Sequence, residues 1–452
     1  MTAGSERIAR VAAALAVGAL VGCAHYRARP LASEPNLAAG PADLKVDVSQ
    51  LHLAPLAPHR FDPAAGLDPT DVAILAVLNS PDLKAKRAAA GVAAAQAFSA
   101  GLLPDPQLSA SIDVPDHPAS ATTAWALIPA IDVLSLVTRP ASRNAAKDAQ
   151  KQADLDLLWS EWSTAQQART LAVTILADEA KGVLLARIDG DLSVRLSAST
   201  AAWRRGDLPS STFSADQAAK IDADSQLGVV RAAERTSRGE LNALIGLAPN
   251  VRLDLVLGAP AAPPSPVAVN ADLRRVARRR PDLLALQAGY HSQDADLRRA
   301  ILAQFPLISL GYNRQQDNTG ILSNGLAATL VIPIFNRNRG DIRIQEATRE
   351  KLAEEYQARL DQTVANVTKA RAELDADEVQ AAKLAAELPS LERTMNSAEP
   401  RYAHGDISSD QYLALEEAVL RDEASLADLR LASRLALISL DTLLFIPPGE
   451  SS

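Results

Sequence analysis

One cysteine, Cys23, and two methionines are all the sulfur in 452 residues. A lone cysteine excludes an internal disulfide, and two methionines exclude a thioether ladder for soft metals. Histidine is scarce too. His25, His52, His59, His117, His291 and His404 are scattered without ligand spacing, so no structural metal site is expected. Aromatic residues make up only 4%, and the abundant alanine favours long, closely packed helices over one large jigsaw core. There is no excess of positive charge: the net charge is −8, which excludes the electrostatic footprint of a nucleic-acid partner. Acidic residues are instead free to make a surface or pore attractive to cations. The chain has no phosphate loop, no HExxH and no G-x-S-x-G turn, so neither an enzyme nor a cofactor is expected.

The N-terminus carries an address. Arg7 and Arg10 precede the apolar stretch 11–22, which is too short to span a bilayer as a mature helix and long enough for a secretory signal. Leu20-Val21-Gly22-Cys23 closes it and resembles a bacterial lipobox, which implies cleavage after residue 22 and lipidation at Cys23. Ala24 follows, where an aspartate would favour inner-membrane retention, so the resemblance implies the outer membrane.

The rest of the chain is written twice. "NSPDLKAKRAAAG" (79–91) and "RRPDLLALQAGYH" (279–291) share Pro-Asp-Leu 200 residues apart. "RRGDLPSS" (204–211) and "AHGDISSD" (403–410) share Gly-Asp 199 apart, and "LNALIGLAP" (241–249) pairs with "LDTLLFIPP" (440–448) at that offset. The expected repeats are 69–255 and 273–448. They lie between a Pro/Ala-rich segment 23–68 read as a linker, a Pro-rich linker 256–272 read as non-helical, and a tail 449–452. The run "RRVARRRPD" (274–282) reads as a solvated helix start.

Each copy reads helix, strand, strand, long helix, turn, helix. Period-two alternation places strands at about 106–114, 122–132, 306–314 and 324–335, with 115–120 and 313–325 as connecting loops. Stripes at every third or fourth residue, such as Leu158, Trp162, Ala165 and Ala168, indicate long helices. From about 139 to 204 such a helix would reach roughly 100 Å. Gly190 and Pro389 are equivalent and mark weak points or kinks; the sequence does not say which.

Four amphipathic strands cannot close a membrane barrel alone, and an open sheet edge cannot sit in lipid. Several chains must therefore contribute to one cylinder. At this point the residues resemble a known family. The lipobox at Cys23, the twin repeat, "LVIPIFNRNRG" (330–340) and "RYAHGDIS" (401–408) together resemble the TolC-like outer-membrane efflux proteins, particularly the lipoprotein branch serving resistance-nodulation-division pumps. The resemblance implies mixed α and transmembrane β structure. A homotrimer would close a twelve-stranded barrel over a long α-helical periplasmic tunnel, lipid-anchored in the outer membrane of a Gram-negative bacterium. It also implies a passive exit duct for small molecules or ions, working with a periplasmic adaptor and an inner-membrane pump.

Under this resemblance the two Gly-Asp turns are the tunnel tips that meet the adaptor. Arg401, Tyr402, Gly405 and Ser408 match the family motif, with Asp406 beside them. In the first copy Trp203, Gly206 and Asp207 correspond, and Ala202 replaces the arginine. Asp207 or Asp406, with the serines that follow, is expected to cap the returning helix. The family's best-known protein exporter narrows its entrance with two aspartates, and those positions here are Gln411 and Ala414. Asp410, Gln411, Glu416 and Glu417 are the candidate gate residues, and His404 reads as a surface residue. The rivals are a channel for one-step protein secretion and a lipid-anchored periplasmic coiled-coil scaffold without a pore.

Overall fold

A computed structural model describes residues 26–447, apart from 48, 50, 52, 57–58, 62–65, 117–121 and 259–261. The signal peptide, Cys23, His25, His52, His117 and the tail 449–452 lie outside the described residues, as do the side chains of Leu307, Ser409 and Asp410. Chain contacts divide the molecule into Met1–Leu37 and Ala38–Ser452. In the first unit Tyr26 and Leu31 are exposed. All that follows concerns the second.

The first repeat holds α1 (Pro69–Asn79), α2 (Pro81–Gly101), β1 (Gln107–Asp113), β2 (Ala124–Asp132), α3 (Val133–Arg205) and α4 (Ser210–Ile245). Two short helices, α5 (Pro266–Leu273) and α6 (Val276–Arg279), lead into the second. That copy is α7 (Pro281–Leu302), β3 (Leu307–Gln316), β4 (Leu322–Val331), α8 (Arg339–Ala403) and α9 (Ser409–Leu444). Proline opens α1, α2, α5 and α7 at the first turn, where its missing N–H costs nothing. The long helices α3 and α8 hold 73 and 65 residues and run through Gly190 and Pro389 without a break.

The four strands form one antiparallel sheet in the order β1-β2-β3-β4. Its register sorts the side chains. Leu310 stands between Ile131 and Ala328, Tyr312 faces Leu326, Ile308 faces Leu330, and Ile112 faces Trp125. Ser109, Ser111, Ser309, Asn313 and Thr329 alternate with these and so occupy the other face. Both faces are largely open, and the outer edges of β1 and β4 have no neighbouring strand among the described residues.

The β3–β4 connection is much shorter than expected. Asn313 to Gln316 pair with Gly325 to Leu322, so the loop is only 317–321. Backbone pairing needs no apolar side chain, which is why a polar run concealed a hairpin. Its turn is held by the Asp317 carboxylate, which accepts the Thr319 and Ile321 N–H groups at 2.9 Å each. Those bonds, with the Thr319 hydroxyl first among them, hold the Asp317 carboxyl below its ordinary pKa.

Three further expectations are corrected. The segment before α1 is no simple linker: Leu44, Leu53, Leu56 and Leu67 are buried in the helical core, and Leu67 bridges to Leu255. The stretch 258–270 contains the start of a helix, because Pro266 sits at the first turn of α5 and Ser265 caps it. Arg280 and Asp282 are buried, not solvated. Arg280 holds Asp282 through two bonds (2.9 and 2.6 Å), donates to Thr363, and stacks on Trp159 at 4.6 Å.

The repeats join through α3, which packs against α1, α2, α4, α7 and α9. Trp162 donates to the Thr442 carbonyl (3.2 Å) and meets Phe445 edge-on. Arg169 of α3 pairs with Asp441 of α9 at 2.9 Å. Burial outweighs this guanidinium and lifts the Asp441 carboxyl to about 6. The folded state therefore holds the proton more tightly than the unfolded one, so stability falls as pH rises from about 4 to about 6. Two pH units are worth about 3 kcal/mol. Asp441→Asn should melt close to the wild type at pH 4, gain on it as the pH rises to about 6 and keep a constant margin above that; parallel melting curves would refute this.

Candidate tunnel-tip site

The two Gly-Asp turns have one geometry. Gly206 and Gly405 take φ of +81° and +82°, the left-handed conformation that ends a helix without a Cβ penalty. Gly206 N–H donates to Trp203 O (3.0 Å) and Asp207 N–H to Ala202 O (2.9 Å). Gly405 N–H donates to Tyr402 O (3.0 Å) and Asp406 N–H to Arg401 O (2.8 Å). Each pair satisfies carbonyls left open at the end of a long helix.

The returning helices start differently. Ser408 caps α9, accepting from Gln411 N–H (3.2 Å), while the Gln411 side chain accepts from Ser408 N–H (3.1 Å). This is a capping box, and it commits Gln411 to the turn. α4 starts at Pro209 without a side-chain cap. The two aspartates do not cap: Asp207 is exposed and pairs with Arg205 (2.8 Å), and Asp406 is exposed. Proline leaves α4 one orphan donor fewer, which removes part of the need for a cap. Arg401 is exposed, and the exposed His404 contacts the Pro400 carbonyl at 2.6 Å.

Behind each turn lies a stacked aromatic pair. Trp203 stacks on Phe213 with centroids 4.8 Å apart, and Tyr402 on Tyr412 at 4.9 Å. Sequence reasoning found Trp203 and Tyr402 and missed their partners, although the offset of 199 that relates the turns also relates Phe213 to Tyr412.

The residue that gathers this region is Arg195 on α3, which sequence reasoning missed. Its Nε donates to Asp216 of α4 (3.1 Å), and its Nη1 lies 3.8 Å from Glu416 of α9. Its guanidinium stands 5.4 Å from the Tyr402 ring and 5.8 Å from that of Tyr412. One cation thus touches groups from α4, α8 and α9, in a setting where Asp216 is 1% exposed. Ser199 also donates to Asp216. No repeat signal marks the cluster: the counterparts of Arg195, Ser199, Asp216 and Glu416 are Thr394, Ala398, Leu415 and Gln217. The cluster lies where helices of the first repeat meet those of the second.

Burial, with Asp191 and Glu417 nearby, raises the Glu416 carboxyl pKa against the opposing pull of Arg195. Burial, with the Glu416 and Glu399 carboxylates nearby, raises the Tyr412 hydroxyl. Glu416 and Glu417 also line a groove of 670 Å³ between α3, α4 and α9, floored by Leu185, Ile188, Leu192 and Leu420.

The histidines are not all isolated. His59 Nε2 lies 2.9 Å from Asp71 and 3.7 Å from Asp68. These carboxylates form the capping box of α1, Asp68 accepting from Thr70 and Asp71 N–H groups and Asp71 from Asp68 N–H, so capping accounts for the cluster.

The pattern described as "Outer membrane efflux protein" matches residues 273–444, the second repeat. Among solved structures, the VceC outer membrane protein of Vibrio cholerae superposes with TM-score 0.70 at 16% identity, covering 84% of this chain and 96% of that one. The CmeC outer membrane channel of Campylobacter jejuni gives 0.70 at 15%, covering 83% and 85%. This is the TolC-like fold. The chain is also similar in sequence to the cation efflux system protein CusC of Escherichia coli K12, 26% identical over 43% of this chain and 47% of CusC. Outer membrane protein OprJ of Pseudomonas aeruginosa is 27% identical over 36% of each. These sequence matches span about half the length of their relatives or less.

Proposed function

We propose that three copies of this chain form an outer-membrane exit duct of a tripartite efflux system. The observation that carries the reading is a four-stranded sheet, apolar on one face and open at both edges, on the same chain as helices of 65 and 73 residues. In lipid such edges must pair, and two further copies would supply the missing strands. The helices would continue the barrel into the periplasm as a tunnel, and lipid on Cys23 would add an anchor. The duct does no chemistry. It passes small molecules or ions delivered by a periplasmic adaptor and an inner-membrane resistance-nodulation-division pump; the names of CusC and OprJ support this cargo class and location.

The tips carry two roles in this reading. The exposed turn residues around Gly206 and Gly405 dock the adaptor, and the Arg195 cluster holds the resting entrance narrow. Because the latch joins the two hairpins of one chain, each chain's four long helices move together, and the entrance opens by parting neighbouring chains.

Two measurements test the proposal. The purified mature chain should form discrete conducting channels in planar bilayers; a monomer without conductance would remove the duct. Gly206→Val with Gly405→Val strains both left-handed turns by about 1–2 kcal/mol each. It should abolish drug or metal resistance while leaving conductance in place. Normal resistance in such cells would refute docking at the tips.

A further inference from the structure

The strands carry few charges, and the pleat sorts them by sign. Asp113 stands opposite Ala124 and Asp132 opposite Ser309, both on the polar face. Arg314 stands between Leu127 and Asn324, and Leu127 in turn faces Ala110. The arginine therefore shares the face of Leu310, Tyr312 and Leu326. No other strand residue on that face is charged. Apolar side chains flank it in both directions along the strands. Tyr312 and Leu326 form the row towards the helices. Ile112, Trp125 and Leu322 belong to the row towards the hairpin turns, and Ile112 is 72% exposed.

The helices on either side of each strand pair join the sheet at one end, and the connections 114–123 and 317–321 lie at the other. In the proposed duct the helices reach into the periplasm, so these turns face outside and Arg314 stands in the outer half of the apolar band. Two residues of a strand tilted by about 40° rise about 5 Å. Arg314 lies one such step inside the outermost apolar row, a depth that its aliphatic stem spans to bring the guanidinium to headgroup level. The protein gives it no counter-charge there. Arg314 is exposed, and neither it nor Asn324 nor Gln316 has a side-chain partner among the described residues.

We infer that Arg314, with Asn324 and Gln316 beside it, binds the phosphate of a lipid headgroup in the outer leaflet. A cation on an otherwise apolar, lipid-facing surface needs an anion, and the membrane carries phosphate at the level the guanidinium reaches. Guanidinium takes phosphate through two parallel N–H bonds. Asn324 across the strand and Gln316 two residues along share its face and offer amide donors. A sister chain does not supply the anion, because β3 is an inner strand. A strand pairing with the edge of β4 would lie about 10 Å away.

The test counts retained lipid. The mature protein in detergent, given bisphosphorylated lipid A, is compared with Arg314→Gln by native mass spectrometry. Arg314 bonds no protein group, so the variant should assemble like the wild type and hold about tenfold less of the lipid. Equal retention overturns the site. So does a wild type that holds a phosphate-free glycolipid with the same acyl chains equally well, a comparison that decides even if Arg314→Gln fails to fold. Release of the lipid by millimolar inorganic phosphate would reveal a free-anion site and overturn the lipid assignment. The inference rests on the lipid-facing sheet of the proposed duct, and a nitroxide on Leu326→Cys in reconstituted membranes separates the two failures. Relaxation by a water-soluble nickel chelate in preference to oxygen would remove duct and site together. Relaxation by oxygen, with lipid retention unchanged in Arg314→Gln, would remove the site alone.

Discussion

Arg195→Thr should open the entrance and destabilise the chain together. Asp216 is almost wholly buried and would keep only Ser199 as a partner. Stranding one member of a buried ion pair costs about 3–5 kcal/mol. Loss of the guanidinium also removes the cation from the Tyr402–Tyr412 pair and from Glu416. In planar bilayers the conductance should rise severalfold, with a lower melting temperature. The second repeat suggests how to separate the two effects. Its equivalents are Thr394 and Leu415, so Arg195→Thr with Asp216→Leu rewrites the latch in residues the chain already uses elsewhere. The double variant should recover most of the lost stability, because no buried charge is left unpaired, and should keep the raised conductance. Wild-type conductance in both variants would show that the cluster is structural and does not hold the entrance.

Leu326→Arg should prevent stable insertion into the outer membrane. Leu326 is 93% exposed and stands on the apolar face of the sheet opposite Tyr312. A lipid-facing arginine near mid-membrane costs about 2–4 kcal/mol in a β-barrel, and a trimer would incur that cost three times. Thr329→Arg, on the opposite face of the same strand, should be tolerated, since a water-filled interior solvates the charge. Membrane fractionation and heat-modifiable mobility of the two variants read the difference. If both insert equally well, the apolar face does not meet lipid.

The contrast between Leu326 and Thr329 was legible in the sequence because a strand has period two, and a short stretch states both faces without reference to anything distant. The same holds for the long helices, whose stripes at Leu158, Trp162 and Ala165 are local statements, and for the turns at Gly206 and Gly405, where only glycine avoids a steric penalty. Duplication strengthened each reading by presenting it twice. Polar backbone pairing was not legible. Asn313 to Gln316 look like a loop until Ser323 and Asn324 are placed opposite them. Pro266 looked like a helix breaker, because its effect depends on its position in the turn.

By itself, then, the order of residues determined the repeat, the amphipathic strands, the helix lengths and the sites of reversal, all of which arise from interactions among near neighbours. Tertiary structure alone decided that Arg195 meets Asp216, Tyr402 and Glu416, and that Arg280 lies buried beneath Trp159. Those partners come from different helices and, apart from Arg195 and Asp216, from different repeats. A charged side chain has the same local signature whether it faces water or is enclosed, and only packing distinguishes the two.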